Sequence, residues 1–360
     1  MRRLAALALA GASVLFSQSI QFTYVPFPAA PDATVRGAAL AERRLYTWGD
    51  RILIWELPEG RLLRVRGPGD GFGPGGCLLD VNLDGRPDLV VLERSKGADR
   101  LGRLVWLEAP SWRRRLIDSG AEFRDCRPAT LHGRRGLLLI HRYAQLRFYE
   151  PPGALAGPWS YRELYSIYTP SRQGGLLLAD VDGDGRTDIL AGNYWVRSPE
   201  RFDLSWRLFA INLWMEAPES SMGHLALARI SGQAGAELVI CQSDVAEARL
   251  AWFSRPVPPT ELWPEHRLEG GLKLRSPGAL ATGDLDGDGR DEIVVGERAG
   301  AGSRLIVFRN QGAGAFRPVT IAETGGLVGL WLVDLDGDGA LDILGAGPAT
   351  AGWWRNHRRR

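Results

Sequence analysis

Nine residues, Asp80-Val-Asn-Leu-Asp-Gly-Arg-Pro-Asp88, set the frame for this chain because close copies return at Asp180–Asp188, Asp284–Glu292 and Asp334–Asp342. The copies start 100, 104 and 50 residues apart (80 to 180, 180 to 284, 284 to 334), so one unit of about fifty residues is taken singly or doubled. Such a period marks an architecture of stacked units, each a supersecondary element that cannot bury its faces alone. The doubled gaps predict eroded copies near 130 and 230. Residues 129–140 keep a strand–turn–strand pattern with a shortened turn. Residues 227–240 keep the full length but place Arg229, Ser231 and Gln233 where acids stood.

A second signal runs in phase with the first. Aromatic strands, many closed by proline, follow each unit: 52–58, 104–110, 146–151, 194–199, 250–256, 305–308 and 352–355. That makes seven. A further strand commonly follows, as at 112–117, 159–164 and 316–321. Alternation with β-branched and aromatic residues indicates strands, and no long helical period appears after the N-terminus. Four antiparallel strands repeated seven times predict an all-β fold, a seven-bladed propeller of four-stranded blades. The sequence halts after the seventh aromatic strand, and Ile20–Phe27 is the candidate for the missing strand. Supplying it would close the ring and remove an exposed edge.

Hydrophobic residues at 45% and charged residues at 24% supply a core of the size this needs. The formal charge of +2 argues against a nucleic-acid partner. Residues 1–19 read as a signal peptide: two arginines, an apolar run from Leu4 to Phe16, then small residues. The run is too short for a membrane span of ~20 residues. The expectation is therefore a secreted or periplasmic, monomeric chain with no transmembrane segment and one domain over 20–360. Three cysteines (Cys77, Cys126, Cys241) are expected as small buried side chains, with a Cys77–Cys126 pair as the alternative. Gly71-Phe-Gly-Pro-Gly-Gly76 formally fits a nucleotide-binding glycine pattern but, with Pro74 and no helix after it, reads as a turn.

The acidic turns carry the chemistry. In the cleanest copy Asp180, Asp182, Asp184 and Asp188 offer side-chain oxygens at positions 1, 3, 5 and 9, and Arg186 adds a backbone carbonyl at position 7. The same roles fall to Asp80, Asn82, Asp84, Arg86 and Asp88. They fall also to Asp284, Asp286, Asp288, Arg290 and Glu292, and to Asp334, Asp336, Asp338, Ala340 and Asp342. Gly185 at position 6 permits the bend. Close carboxylate pairs cost about 1 kcal/mol in water and about 4 kcal/mol near a protein surface. A bound cation would relieve that crowding, and all-oxygen ligation favours Ca²⁺. Up to four structural calcium ions are expected, the Asn82 loop binding less tightly. Position 12 lacks the glutamate an EF-hand requires.

These turns, on this period, resemble the FG-GAP/VCBS repeat family and are similar to the calcium-binding blades of the integrin α-chain propeller. The resemblance implies a seven-bladed propeller with calcium on one face, and it fixes no reaction. It also implies that the loops entering the inner strands face the opposite side. Those loops contain Arg127, Arg172, Gln173, His224 and Arg275, a candidate cationic mouth for an anionic sugar or carboxylate. The functional expectation is an exported module that binds a protein or glycan. A polysaccharide-lyase-like enzyme with its site at the channel mouth is the alternative.

Overall fold

The computed structural model describes residues 20–28, 33–65, 71–94, 101–169, 172–214, 221–232, 235–243, 245–268, 272–298, 300, 302–348 and 351–358. The proposed signal peptide and Gln233 lie outside them. Every regular element among the described residues is a β-strand. Seven sheets, each built on four antiparallel strands, follow one another around a central channel. Blades 1 to 6 span residues 35–65, 72–121, 123–166, 176–210, 221–267 and 277–324, and in each the strands run from the axis outward in chain order. Blade 7 takes three strands from 329–356 and its outermost from Phe22–Pro26. That strand lies antiparallel on Ala351–Asn356, from Phe22 opposite Asn356 to Pro26 opposite Gly352. The N-terminal segment therefore closes the ring.

Each blade is buried on both faces, which explains its uninterrupted apolar strands. In blade 2, Leu89 and Val91 face blade 1, while Val90 and Leu92 face blade 3. The strand period of two thus feeds two cores at once. Seven apolar clusters result, one at each junction between neighbouring blades. Aromatic third strands fill them: Trp55, Trp106 and Trp195 are among the largest fully buried side chains.

Two expectations need correction. Cys77 and Cys126 form a disulfide, where small buried side chains were expected. The cysteines occupy the innermost strands of adjacent blades, 49 residues apart in sequence and with Cα atoms 5.5 Å apart. The Gly71–Gly76 stretch is no turn. It enters the strand Phe72–Leu79, whose register shifts between Phe72 and Gly76. A Cβ at Gly75 would lie 2.6 Å from the Phe123 carbonyl, so glycine lets neighbouring inner strands approach.

Blade 5 has a feature the repeat did not announce. Arg172–Gln173 adds a parallel fifth strand along its inner edge, pairing with Ser221 and Met222.

Candidate metal centres

All four acidic turns join the innermost strand of a blade to its second strand, so they share one face of the ring. Position 9 begins the second strand and is fully buried in every copy, as Asp88, Asp188, Glu292 and Asp342. One carboxylate oxygen accepts the N–H of position 2, from Val81 at 3.0 Å, Val181 at 3.1 Å, Leu285 at 2.8 Å and Leu335 at 2.9 Å. The other accepts an N–H at or just beyond the end of the third strand, from Ala109, Ser198, Asn310 or Asn356. This side chain therefore ties three segments of the blade together. Burial raises the pKa of all four against the pull of those backbone bonds, to about 7 for Glu292.

Position 1 organises the turn's backbone. Asp180 accepts N–H groups from Gly183, Asp184 and Gly185, and Asp284 does the same for Gly287, Asp288 and Gly289. Positions 4 and 6 are left-handed. Glycine occupies both in three turns, with φ between 74° and 88°. The 80–88 turn has Leu83 at position 4 with φ 61°, its side chain largely in solvent.

Positions 1, 3 and 9 converge in three turns. Ligand oxygens of Asp180, Asp182 and Asp188 lie within 4.8 Å of one another, as do those of Asp284, Asp286 and Glu292, and of Asp334, Asp336 and Asp342. Asp286 Oδ1 is buried with no hydrogen-bond partner, an acceptor that a cation would satisfy. The donor set is hard oxygen throughout, and it fits a divalent ion. In the 80–88 turn Asn82 takes position 3 and bonds with Asp84 instead.

Position 5 stands apart from these clusters. Asp184 and Asp288 accept the N–H of position 7 at 2.9 Å and pair with the guanidinium of Arg186 or Arg290. Burial pushes Asp184 up, but the Arg186 N–H and the Arg186 and Arg197 charges outweigh it and hold the carboxyl below the ordinary range.

Sequence reasoning missed a second set of arginines. Arg197, Arg309 and Arg355 end the third strands of blades 4, 6 and 7 and pair with position 3: Asp182 at 2.5 Å, Asp286 at 3.3 Å and Asp336 at 2.6 Å. Blade 2 places Glu108 at the equivalent position, with Asn82 as its position 3, and Glu108 turns to Arg115 at 2.9 Å. The signal was an Arg after the last aromatic-strand apolar residue in the three full turns and a Glu in the fourth. These guanidiniums offset part of the carboxylate crowding, so repulsion alone is a weaker argument for a metal than the turns suggest by themselves.

The turns also couple blades. The position-2 carbonyl of one blade accepts a side-chain N–H from the next: Val181 from Arg255 at 2.6 Å, Ile230 from Asn310 at 3.2 Å and Leu285 from Asn356 at 2.9 Å.

Of the five mouth residues, Arg127 and His224 line the central cavity. Gln173 is buried and accepts the Asn193 N–H, Arg172 lies over the Tyr143 ring, and Arg275 pairs with the buried Glu297. Arg127 likewise bonds within the scaffold, donating Nε–H to the Leu176 carbonyl at 3.0 Å.

Residues 276–345, which include two of the acidic turns, match the family model of the FG-GAP-like repeat. No curated protein matches the chain. Among solved structures, a Bacteroides uniformis ATCC 8492 protein provisionally assigned as a 6-phosphogluconolactonase superposes with a TM-score of 0.50 at 11% identity, covering 85% of each chain. The computationally designed Ika8 protein superposes with a TM-score of 0.48 at 11% identity, over 91% of this chain and 98% of its own. The first likeness concerns the fold alone.

Proposed function

We propose that this chain is an exported interaction module of the FG-GAP type, stiffened by calcium, that presents propeller loops to a protein or glycan. The carrying observation is that one all-oxygen turn recurs in three blades with the same ligand positions. Chemistry repeated in several blades of a ring serves the scaffold, whereas catalysis concentrates unusual groups at one place. Flexible loops with several carboxylates suit Ca²⁺ better than the smaller Mg²⁺, which demands near-octahedral geometry. Positions 1, 3 and 9 would hold the ion, with position 5 available if its arginine partner swings away. The 80–88 turn would be a fourth, weaker site. The Cys77–Cys126 bridge supports an oxidising compartment.

Calorimetric titration of chelator-treated protein tests the calcium reading. Three sites with dissociation constants on the order of 10⁻⁴ to 10⁻³ M are expected, with Mg²⁺ binding more weakly. No heat and no rise in melting temperature at millimolar calcium would refute it. Sequencing the N-terminus of the mature chain tests export, with Ile20 as the expected first residue. Arrays of glycans and extracellular proteins then identify the partner class.

A further inference from the structure

A cavity of ≈ 510 Å³ opens between blades 1 and 2, at the end of the ring that carries the acidic turns. Its walls are mainly apolar: Tyr46 and Leu63 come from blade 1, Pro110 and Trp112 from blade 2. Arg44 and Arg86 are the charged residues on the wall, and no carboxylate lines it among the described residues.

Two local features build this cleft. The first is the turn after the third strand. Gly60 of blade 1 and Trp112 of blade 2 occupy equivalent places in it, each donating its N–H to the carbonyl of the glutamate four residues back, Glu56 at 2.8 Å and Glu108 at 2.6 Å. Both backbones are left-handed, with φ 69° at Gly60 and 56° at Trp112. Glycine takes that conformation freely, whereas a bulky aromatic residue is a steric outlier there. Blade 2 thus holds a tryptophan where its neighbour has glycine. The indole packs on the junction between the blades, 6.5 Å from the Tyr46 ring, and forms part of the cleft wall.

The second feature is the position-7 arginine. Arg186 and Arg290 close on the position-5 carboxylates of their own turns. In blade 2 the Asn82 amide donates to Asp84 Oδ2 at 3.2 Å, and Arg86 lines the cleft instead. Arg44, on the blade 1 side, reaches Glu56 at 3.5 Å, and that carboxylate also accepts Arg61 Nε–H at 2.7 Å.

We propose that this cleft binds a small aromatic carboxylic acid, its ring on the wall formed by Trp112 and Leu63 and its carboxylate on the guanidinium of Arg86. Charge complementarity decides the class: the apolar walls take the body, and a planar guanidinium offers two-point contact to a carboxylate. The volume lies within the range of small-molecule sites, which combine apolar walls with a few placed polar groups. The inference does not rest on calcium, because the side chains that form the cleft belong to none of the three metal clusters.

Indole-3-acetate and neutral indole-3-acetamide, titrated calorimetrically into the full chain with calcium present, form a matched test. The acid should bind with a dissociation constant of about 1 mM or below, and the amide several-fold more weakly. Arg86→Gln should erase most of that preference. Trp112→Gly installs the residue that blade 1 uses, so the variant should fold, and it should weaken both ligands on the order of tenfold. Arg86 is exposed, so Arg86→Gln reads the site even if Trp112→Gly fails to fold. Absence of heat with the acid at about 10 mM would overturn the proposal. So would equal affinity for the amide, or acid binding unchanged in Arg86→Gln. Heat from an acidic peptide bearing one tryptophan, with none from the free acid, would also overturn it and give the cleft to a protein partner.

Discussion

The turns of blade 5 and blade 6 have the same length, yet only one gathers a cation site. In blade 6, Glu292 accepts the Leu285 N–H at 2.8 Å and sits with Asp284 and Asp286. In blade 5, Glu237 accepts the Ile230 N–H at 3.0 Å and the Ser231 N–H at 3.1 Å, but Arg229 and Ser231 replace the first two acids. Arg229 pairs instead with Asp291 of blade 6 at 2.9 Å. The difference separates two jobs that the intact motif runs together. Position 9 pins the blade in both turns, whereas the carboxylates at positions 1 and 3, which the proposed ion would need, are present only in blade 6. The changes at 229–233 therefore leave in place the residue that ties this blade's strands together.

The sharpest way to break this comparison is Glu237→Ala. One buried and one part-buried backbone donor would lose their acceptor, at about 1–3 kcal/mol for the buried one, so a loss of about 2 kcal/mol is expected in urea unfolding. The loss should be the same with calcium or with chelator. A change under about 0.5 kcal/mol would show that position 9 is dispensable.

Asp286→Asn gives blade 6 the position-3 chemistry of blade 2. It should remove about 1 kcal/mol of stability at millimolar calcium and little in chelator, because only metal linkage is lost. Equal losses in both conditions would assign Asp286 to scaffold work with Arg309.

Blade 7 differs from blade 6 in having Ala340 where blade 6 has Arg290, so its turn lacks the position-7 guanidinium that pairs with position 5 there. The 334–342 turn should fill first in a calcium titration, and Arg290→Ala should tighten the 284–292 turn a few-fold, roughly 0.5–1 kcal/mol. A loosened site would instead make Arg290 a positioning residue.

The smallest effect concerns blade 2. Leu83→Gly relieves a left-handed non-glycine residue costing roughly 1–2 kcal/mol, offset by about 0.4–1 kcal/mol of unfolded-chain entropy. A net gain near 0.5 kcal/mol should appear as a slightly higher midpoint. A lower midpoint would mean that the Leu83 side chain packs usefully despite its exposure.

Much of this was legible in the sequence because the repeat is written twice, once in acids and once in aromatics. The apolar runs of the second strands declared burial on both faces, and the absent strand after residue 356 pointed to the N-terminus. Position 9 was legible as an acid but not as a pin, since its backbone partners come from two other segments. Glu237 was overlooked for the same reason, hidden among lost ligands. Arg197, Arg309 and Arg355 gave little signal in a chain whose basic residues are nearly all arginine. Cys77 and Cys126 meet only because equivalent strands of successive blades stand side by side. Gln173 and Arg172 look like loop residues until the parallel pairing with Ser221 and Met222 is seen.

Pairing of Phe22–Pro26 with Ala351–Asn356 also orders events in time. The strand Phe22–Pro26 must wait, unpartnered, until Ala351–Asn356 has followed it. Contacts between such distant segments are slow to form, because a long intervening chain must be brought together first. Until then the half-built ring has an open seam at blade 7, with the edge of Ala351–Asn356 unpaired. The latch thus postpones final locking until the other six blades can already stand.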